Sequence, residues 1–223
     1  MPPDWVIIPA RDEASAISEV VEGACRTGAK VVVVDDFSAD NTVAVAKAAG
    51  AIVLSLCSPL GAWGATQTGL RHAHEQGAQQ VICMDGDGQH PVSAIALLTA
   101  AQMQTGADVV IGADPSRCSW QRRLAWAWFR FLSGVGLQDL TSGFRCYSRT
   151  ALAHLVSKEV SLFNYQDLGL LLSLKKSGLA VIEVPVEMRP RNEGSSRIFT
   201  SWWRVSVYLL ETTALALAMR RMR

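Results

Sequence analysis

The sequence predicts an α/β fold, a doubly wound and mostly parallel sheet flanked by helices. Two observations carry this. Through residue 112, short apolar runs alternate with segments whose apolar residues recur at helical spacing, and the loops between them are short. The runs are also continuous and rich in Val and Ile, as expected of parallel strands covered on both faces. In such a sheet ligands lie beyond the carboxyl ends of the strands. Pro9, the pair Asp35 and Asp36, and the pair Asp85 and Asp87 all fall at such ends, so the topology gathers them in one crevice.

Each element has its own justification. Residues 5–8 form a first apolar strand ended by Pro9, followed by a helix to about residue 26 with Ala16, Val20, Val21 and Ala24 on one face. Residues 31–34 are the second strand. Ser38 or Asp40 is placed to cap the next helix, 42–49, which Gly50 ends. Strand three spans 51–54. Residues 61–64 read as a loose glycine loop before a helix to about 76. Strand four, 80–83, leads into the acidic pair, a helix runs from 91 or 92 to about 105, and 107–111 is strand five. Beyond 112 the pattern changes. Arg117, Arg122, Arg123 and Arg130 are interleaved with Trp120, Trp126, Trp128 and Phe129, and these last three aromatics are expected in the core. A turn into a strand (140–147), a helix (164–176), a strand (180–184), a polar loop (191–197) and a final helix (202–219) follow. Residues 1–200 thus form one domain and 201–223 an apolar helix with a basic end.

Composition narrows the classes. Hydrophobic residues make up 49% of the 223 and charged residues 18%, and the formal charge is +1, which gives no argument for nucleic acid. Five scattered cysteines without a Cys-x-x-Cys pair argue for reduced thiols, not a disulfide frame or zinc site. The start of the chain lacks the marks of a signal peptide, and no run of about twenty uncharged apolar residues suggests a spanning helix.

The most informative stretch is Met84-Asp85-Gly86-Asp87-Gly88-Gln89-His90-Pro91. Two aspartates two residues apart on extended chain place both carboxylates on one side. Glycine at 86 and 88 leaves the backbone open to a close ligand, and Gln89 adds a neutral oxygen. Such a set suits Mg2+ or Mn2+, held by few protein oxygens and otherwise by water and substrate phosphate. The alternative is a polar Asp-Gly turn. His90 is expected to hydrogen-bond at the start of the following helix and not to bind metal.

Five motifs in order resemble family-2 glycosyltransferases of the GT-A fold, in the dolichol- or polyprenyl-phosphate sugar transferase branch. Residues 8–13, Ile-Pro-Ala-Arg-Asp-Glu, resemble the family's Ile-Pro-Ala-Tyr-Asn-Glu. Residues 34–42, Val-Asp-Asp-Phe-Ser-Ala-Asp-Asn-Thr, resemble Val-Asp-Asp-Gly-Ser-Thr-Asp-Gly-Thr. Residues 84–91 resemble Met-Asp-Ala-Asp-Leu-Gln-His-Pro, 139–145 resemble Asp-Pro-Thr-Ser-Gly-Phe-Arg, and 191–197 resemble Arg-x-x-Gly-x-Ser-Lys. The resemblance implies that Pro9, Arg11, Glu13, Val34 and Asp36 line the nucleotide, with Arg11 standing where the family has tyrosine. For Asp36 the competing role is a helix cap; Asp35 is read as structural. Asp85, Gly86 and Asp87 would meet the diphosphate, with Asp85, Asp87 and Gln89 as metal ligands. Arg123, Arg191 and Arg197 match family cations that hold donor and acceptor phosphates, with Ser196 donating beside them.

Many family-2 transferases carry an acidic pair where this chain has Gln166-Asp167. A hydroxyl acceptor needs a base, whereas a phosphate monoester, with a second pKa of about 6, is already an anion at neutral pH. The loss of one acid therefore fits a lipid phosphate acceptor, with Asp167 orienting it. The implied reaction is a metal-dependent inverting transfer of one sugar from a nucleotide diphosphate sugar to a polyprenyl phosphate. A soluble transferase to a hydroxyl, or a silent nucleotide-binding subunit, are the alternatives. Helix 202–219, opened by tryptophans and closed by arginines, suits a bilayer interface, or packing on the domain or on a partner copy. The expected setting is the cytoplasmic face of a membrane, at its surface or on a membrane partner subunit; a homo-oligomer is compatible with the sequence.

Overall fold

Strands β1 (Trp5–Ala10), β2 (Lys30–Asp35), β3 (Ile52–Ser55), β4 (Gln80–Cys83), β5 (Val109–Ala113), β6 (Arg145–Ser148) and β7 (Val181–Pro185) form one sheet in the order β3-β2-β1-β4-β6-β5-β7. The structure is a computed structural model and describes residues 2–117, 126–128, 130, 136–162, 168–189 and 213. Helices α1 (Ile17–Cys25), α2 (Thr42–Ala48), α3 (Gly61–Glu75), α4 (Ile95–Thr105), α5 (Arg149–Leu155) and α6 (Leu168–Lys176) flank it.

The alternation of side chains along each strand divides the core into two layers. Ile7, Val32, Val34, Val81, Val109 and Ile111 face α3, α5 and α6. Val6, Ile8, Val31, Val33, Ile82 and Val110 face α1, α2 and α4. Burial on both faces explains why these strands read as unbroken apolar runs. Each fully buried Val or Ile contributes about 1.5–3 kcal/mol relative to exposure. Helix α3 lies close on the sheet because residue 69 is glycine: a Cβ there would sit 2.3 Å from the Ile7 side chain and 3.0 Å from that of Val34.

Helix α5 has no counterpart in the sequence reading, which passes from the strand at 140–147 to a helix at 164–176, and three further details depart from it. Strand β6 is antiparallel and sits between β4 and β5, so the fourth and fifth strands are not neighbours. The rest of the sheet is parallel, as expected of a mostly parallel α/β fold. Gly61 to Gly64 is not a loop but the first turn of α3. Glycine is a poor helix former, but the Asp36 carboxylate takes the amides of Leu60 and Gly61 and anchors the helix there. Trp126 is buried as expected, whereas Trp128 is exposed. Among the described residues no helix is long and apolar enough to cross a membrane.

Candidate active site

The chain order reverses at β1, which has β2 on one side and β4 on the other. That is the switch point at which open α/β sheets bind ligands. The loops after β1, β2 and β4 meet there.

The first two loops are clasped together. The Asp12 amide donates to Ser38 Oγ (2.9 Å), and the Ala39 amide donates back to Asp12 Oδ1 (2.8 Å). The Glu13 amide donates to Thr42 Oγ1 and the Ala14 amide to Asp40 Oδ2. Ser38, Asp40 and Thr42 therefore act across the crevice floor. Ser38 does not cap α2; Asn41 occupies that position without a side-chain bond. Burial alone would raise the Asp40 pKa, but hydrogen bonds from the Thr42 hydroxyl and from the amides of Thr42 and Ala14 outweigh it and hold the carboxyl below its usual value. The clasp fixes Pro9, Arg11 and Glu13. Arg11 is exposed, with Nε 3.9 Å from Asp12 Oδ2, and the Glu13 carbonyl accepts from the Ala16 and Ile17 amides at the start of α1.

From β2 the structure gives a helix cap. Both oxygens of buried Asp36 accept α3 amides, Leu60 at 2.6 Å and Gly61 at 3.0 Å. The capping alternative for Asp36 is thus realised, at α3 and not at α2. Val34 is fully buried, its side chain against position 69, so β2 reaches the crevice through Asp35 to Ser38. Asp35 is also buried; one oxygen accepts from the Ser38 amide at 3.4 Å. Between them stands Phe37, 54% exposed, with φ 64°. A left-handed backbone costs a non-glycine residue on the order of 1–2 kcal/mol.

The acidic stretch follows β4. In the register that pairs Ile7 with Cys83, Asp85 comes level with Pro9. Its side chain is 49% exposed. His90 turns back to it: the Asp85 amide donates to His90 Nδ1 (2.9 Å), and Nε2 lies 3.6 Å from Asp85 Oδ2. Because Nδ1 accepts, the ring hydrogen of neutral His90 sits on Nε2 and faces the carboxylate. His90 is buried and stacked on Phe144, 5.1 Å between ring centroids. The expected bond at the start of the next helix is replaced by this backward one. Asp87 is buried; Oδ1 accepts from the Gln89 amide (3.0 Å) and Oδ2 from Gln89 Nε2. Gln89 thus braces Asp87 through both its backbone amide and its side-chain amide. Gly88 has φ 78°, which the turn requires. Gly86 is a glycine for a different reason than the one expected: a Cβ there would meet Ile17 at 3.1 Å and Ala10 and Ile8 at 3.4 Å, all on the core side.

A third loop, ahead of β6, closes on Asp85. Glu183 on β7 accepts the amides of Gln138 and Asp139, both at 2.7 Å. The Asp139 carboxylate accepts those of Thr141 and Ser142, and Ser142 Oγ donates to the Gly112 carbonyl (2.6 Å). Fully buried Arg145 donates to the Ser142 and Leu140 carbonyls. The result sets Gly143 beside the acid, where a Cβ would stand 3.0 Å from Asp85 Oδ1. Sequence reading missed this support. Its only trace was the Ser-Gly-Phe-Arg motif, which carries no chemistry of its own.

The structure therefore gathers Pro9, Arg11, Glu13, Asp36, Asp85, Gly86, Asp87 and Gln89 around one crevice. Arg123, Asp167, Arg191, Ser196 and Arg197, with Arg122, Gln166 and, apart from residue 213, the segment 202–219, lie outside the described residues. Among the described residues no three His, Cys, Asp or Glu side chains cluster as a closed metal cage. The donor set still fits a hard divalent cation that takes most of its oxygens from water and phosphate. Asp85 presents an accessible carboxylate, and the Asp87 carboxylate lies two residues further along the same loop.

A seven-stranded sheet with this crevice is the GT-A fold of nucleotide-sugar-dependent transferases. Residues 5–155 match the model of Glycosyl transferase family 2, and the chain belongs to that family; it is a glycosyltransferase. It is 29% identical to a polyprenol monophosphomannose synthase of Mycolicibacterium smegmatis, over 91% of this chain and 83% of that protein. It is 27% identical to a UDP-N-acetylglucosamine–dolichyl-phosphate N-acetylglucosaminyltransferase of Methanococcus voltae, over 82% of this chain and 84% of that protein. Among solved structures, glucosyl-3-phosphoglycerate synthase from Mycobacterium tuberculosis, in complex with Mn2+, UDP-glucose and phosphoglyceric acid, superposes with a TM-score of 0.69 at 22% identity. The match covers 96% of this chain and 78% of that one. At that identity the likeness is one of fold.

Proposed function

We propose that the protein transfers one sugar from a nucleotide diphosphate sugar to a polyprenyl phosphate, with inversion at the anomeric carbon. One observation carries the acceptor. The two curated relatives, each matched over most of both chains, are named for different sugars but both for a polyprenol or dolichyl phosphate product or acceptor. Gln166, in place of a second acid, supports the same reading, since an acceptor that is already anionic needs no base.

In this reading Asp85 and Asp87, with Gln89 beside them, hold Mg2+ or Mn2+, which neutralises charge on the departing diphosphate. Pro9, Arg11, Glu13 and the Asp36 loop bound the nucleotide. Arg123, Arg191 and Arg197 hold the donor and acceptor phosphates, Ser196 donates to the same oxygens, and Asp167 orients the acceptor. An acceptor phosphate oxygen attacks the anomeric carbon from the face opposite the diphosphate. The new carbon–oxygen bond forms as the bond to the nucleoside diphosphate breaks, and no proton has to move. Residues 202–219 are proposed to seat the domain at the bilayer interface where the acceptor lies.

The test is incubation with a polyprenyl phosphate, Mn2+ and a panel of UDP- and GDP-sugars. A lipid-linked monosaccharide is expected with at least one donor. No lipid product from any donor, beside a working control enzyme, would overturn the reading; transfer to a soluble hydroxyl alone would assign the alternative acceptor class.

A further inference from the structure

We infer that Phe37 is a nucleobase platform particular to this chain; the inference rests on the proposed use of a nucleotide sugar. Three observations converge on it. Phe37 holds a left-handed backbone, φ 64°, that glycine would adopt without strain, and the resemblance places glycine at this position. A bulky side chain kept in such a conformation points to a use for the side chain. That side chain is 54% exposed, and so is no part of the core; Leu60, whose amide is bonded to Asp36, is 56% exposed beside the same buried carboxylate. Finally, the position is set by the crevice. Asp36 precedes it, and Ser38 follows it with Oγ bonded to the Asp12 amide, so residues 37 and 11 flank one clasp. At 11 this chain has Arg where the family has an aromatic ring. The exposed ring beside this clasp is therefore the one at 37. A flat nucleobase, with a π face whatever its edge pattern, is the ligand group such a ring fits.

The experiment compares wild type, Phe37→Gly and Phe37→Tyr in the full chain, by calorimetric titration with UDP, GDP and inorganic pyrophosphate in Mn2+, and by thermal unfolding without ligand. Phe37→Gly is expected to weaken binding of the preferred nucleoside diphosphate by roughly tenfold, the scale of one base–aromatic stack. Pyrophosphate binding and the unfolding temperature are expected not to fall, since glycine relieves the backbone, and Phe37→Tyr is expected to bind as wild type does. Equal nucleotide affinity in wild type and Phe37→Gly would overturn the platform alone. So would parallel losses of nucleotide and pyrophosphate, or a lowered unfolding temperature, because either marks a structural role. Wild type that binds neither nucleotide would overturn the proposed donor class, and the platform with it.

Discussion

Asp85 is held from two sides by residues that perform no chemistry themselves. His90 binds its amide and faces its carboxylate, and Gly143 leaves the space that its Oδ1 occupies. In the proposed function Asp85 meets a cation; a carboxylate with that task must be fixed before the cation arrives, and partners of this kind are worth roughly 10–100-fold in metal affinity. Gly143→Ala is therefore expected to lower Mn2+ affinity, measured by Mn2+ electron paramagnetic resonance, by about tenfold with little change in fold. Unchanged affinity would show that Asp85 swings aside without consequence. His90→Ala is expected to weaken Mn2+ comparably, and His90→Phe, which keeps the stack on Phe144, is expected not to restore it; restoration would mean that the ring matters only as packing. At this scale the sequence showed the acids but not what holds them. Asp-x-Asp is visible because its spacing is local. The support comes from residues 5 to 58 positions away, through a backbone amide and a missing Cβ that no residue type announces. Gly86 was misread for the same reason: a glycine beside a site and a glycine beside a core look alike until Ile17 is seen against it.

Among the elements, α3 and the clasped loops matter most. Helix α3 begins at a glycine and lies on the sheet through another, so its place depends on Asp36 and on position 69. Gly69→Ala would press a methyl into Ile7 and Val34 and is expected to cost about 1–3 kcal/mol, read by urea unfolding; a cost near zero would mean that α3 retreats freely. The clasp carries a pH signature. The Asp40 pKa is lowered below its ordinary 3.8, so its stabilisation is present above that pH and is lost as pH falls through the folded-state value. Asp40→Asn is expected to unfold at a lower temperature than wild type above pH 3.8, with the gap closing below it. A gap independent of pH would remove the ionised carboxylate from the clasp. Most elements were legible in the apolar runs, with ends off by one or two residues. The antiparallel β6 was not placed, because strand periodicity is the same in either direction. The start of α3 was missed because the group that anchors it, Asp36, is 24 residues away.

For the whole molecule, burial sets which thiols react. Cys83 and Cys146 lie in the sheet; burial pushes the Cys146 thiol up to about 12 and raises Cys83 as well, whereas Cys57 is exposed. Iodoacetamide at neutral pH is expected to label Cys57 in the folded protein and Cys83 and Cys146 only on unfolding, read by peptide mass. Early labelling of Cys83 would mean that the central sheet opens. What unites the molecule is a two-sided sheet that delivers three loops to one crevice; in the proposed function, a cation held by the acids after β4 grips the donor's diphosphate. The most direct test is UDP and GDP binding by wild type and Asp87→Asn, with and without Mn2+. Nucleotide binding strengthened by Mn2+ in wild type and indifferent to it in Asp87→Asn is the expected result; an equal Mn2+ dependence in both proteins would contradict it.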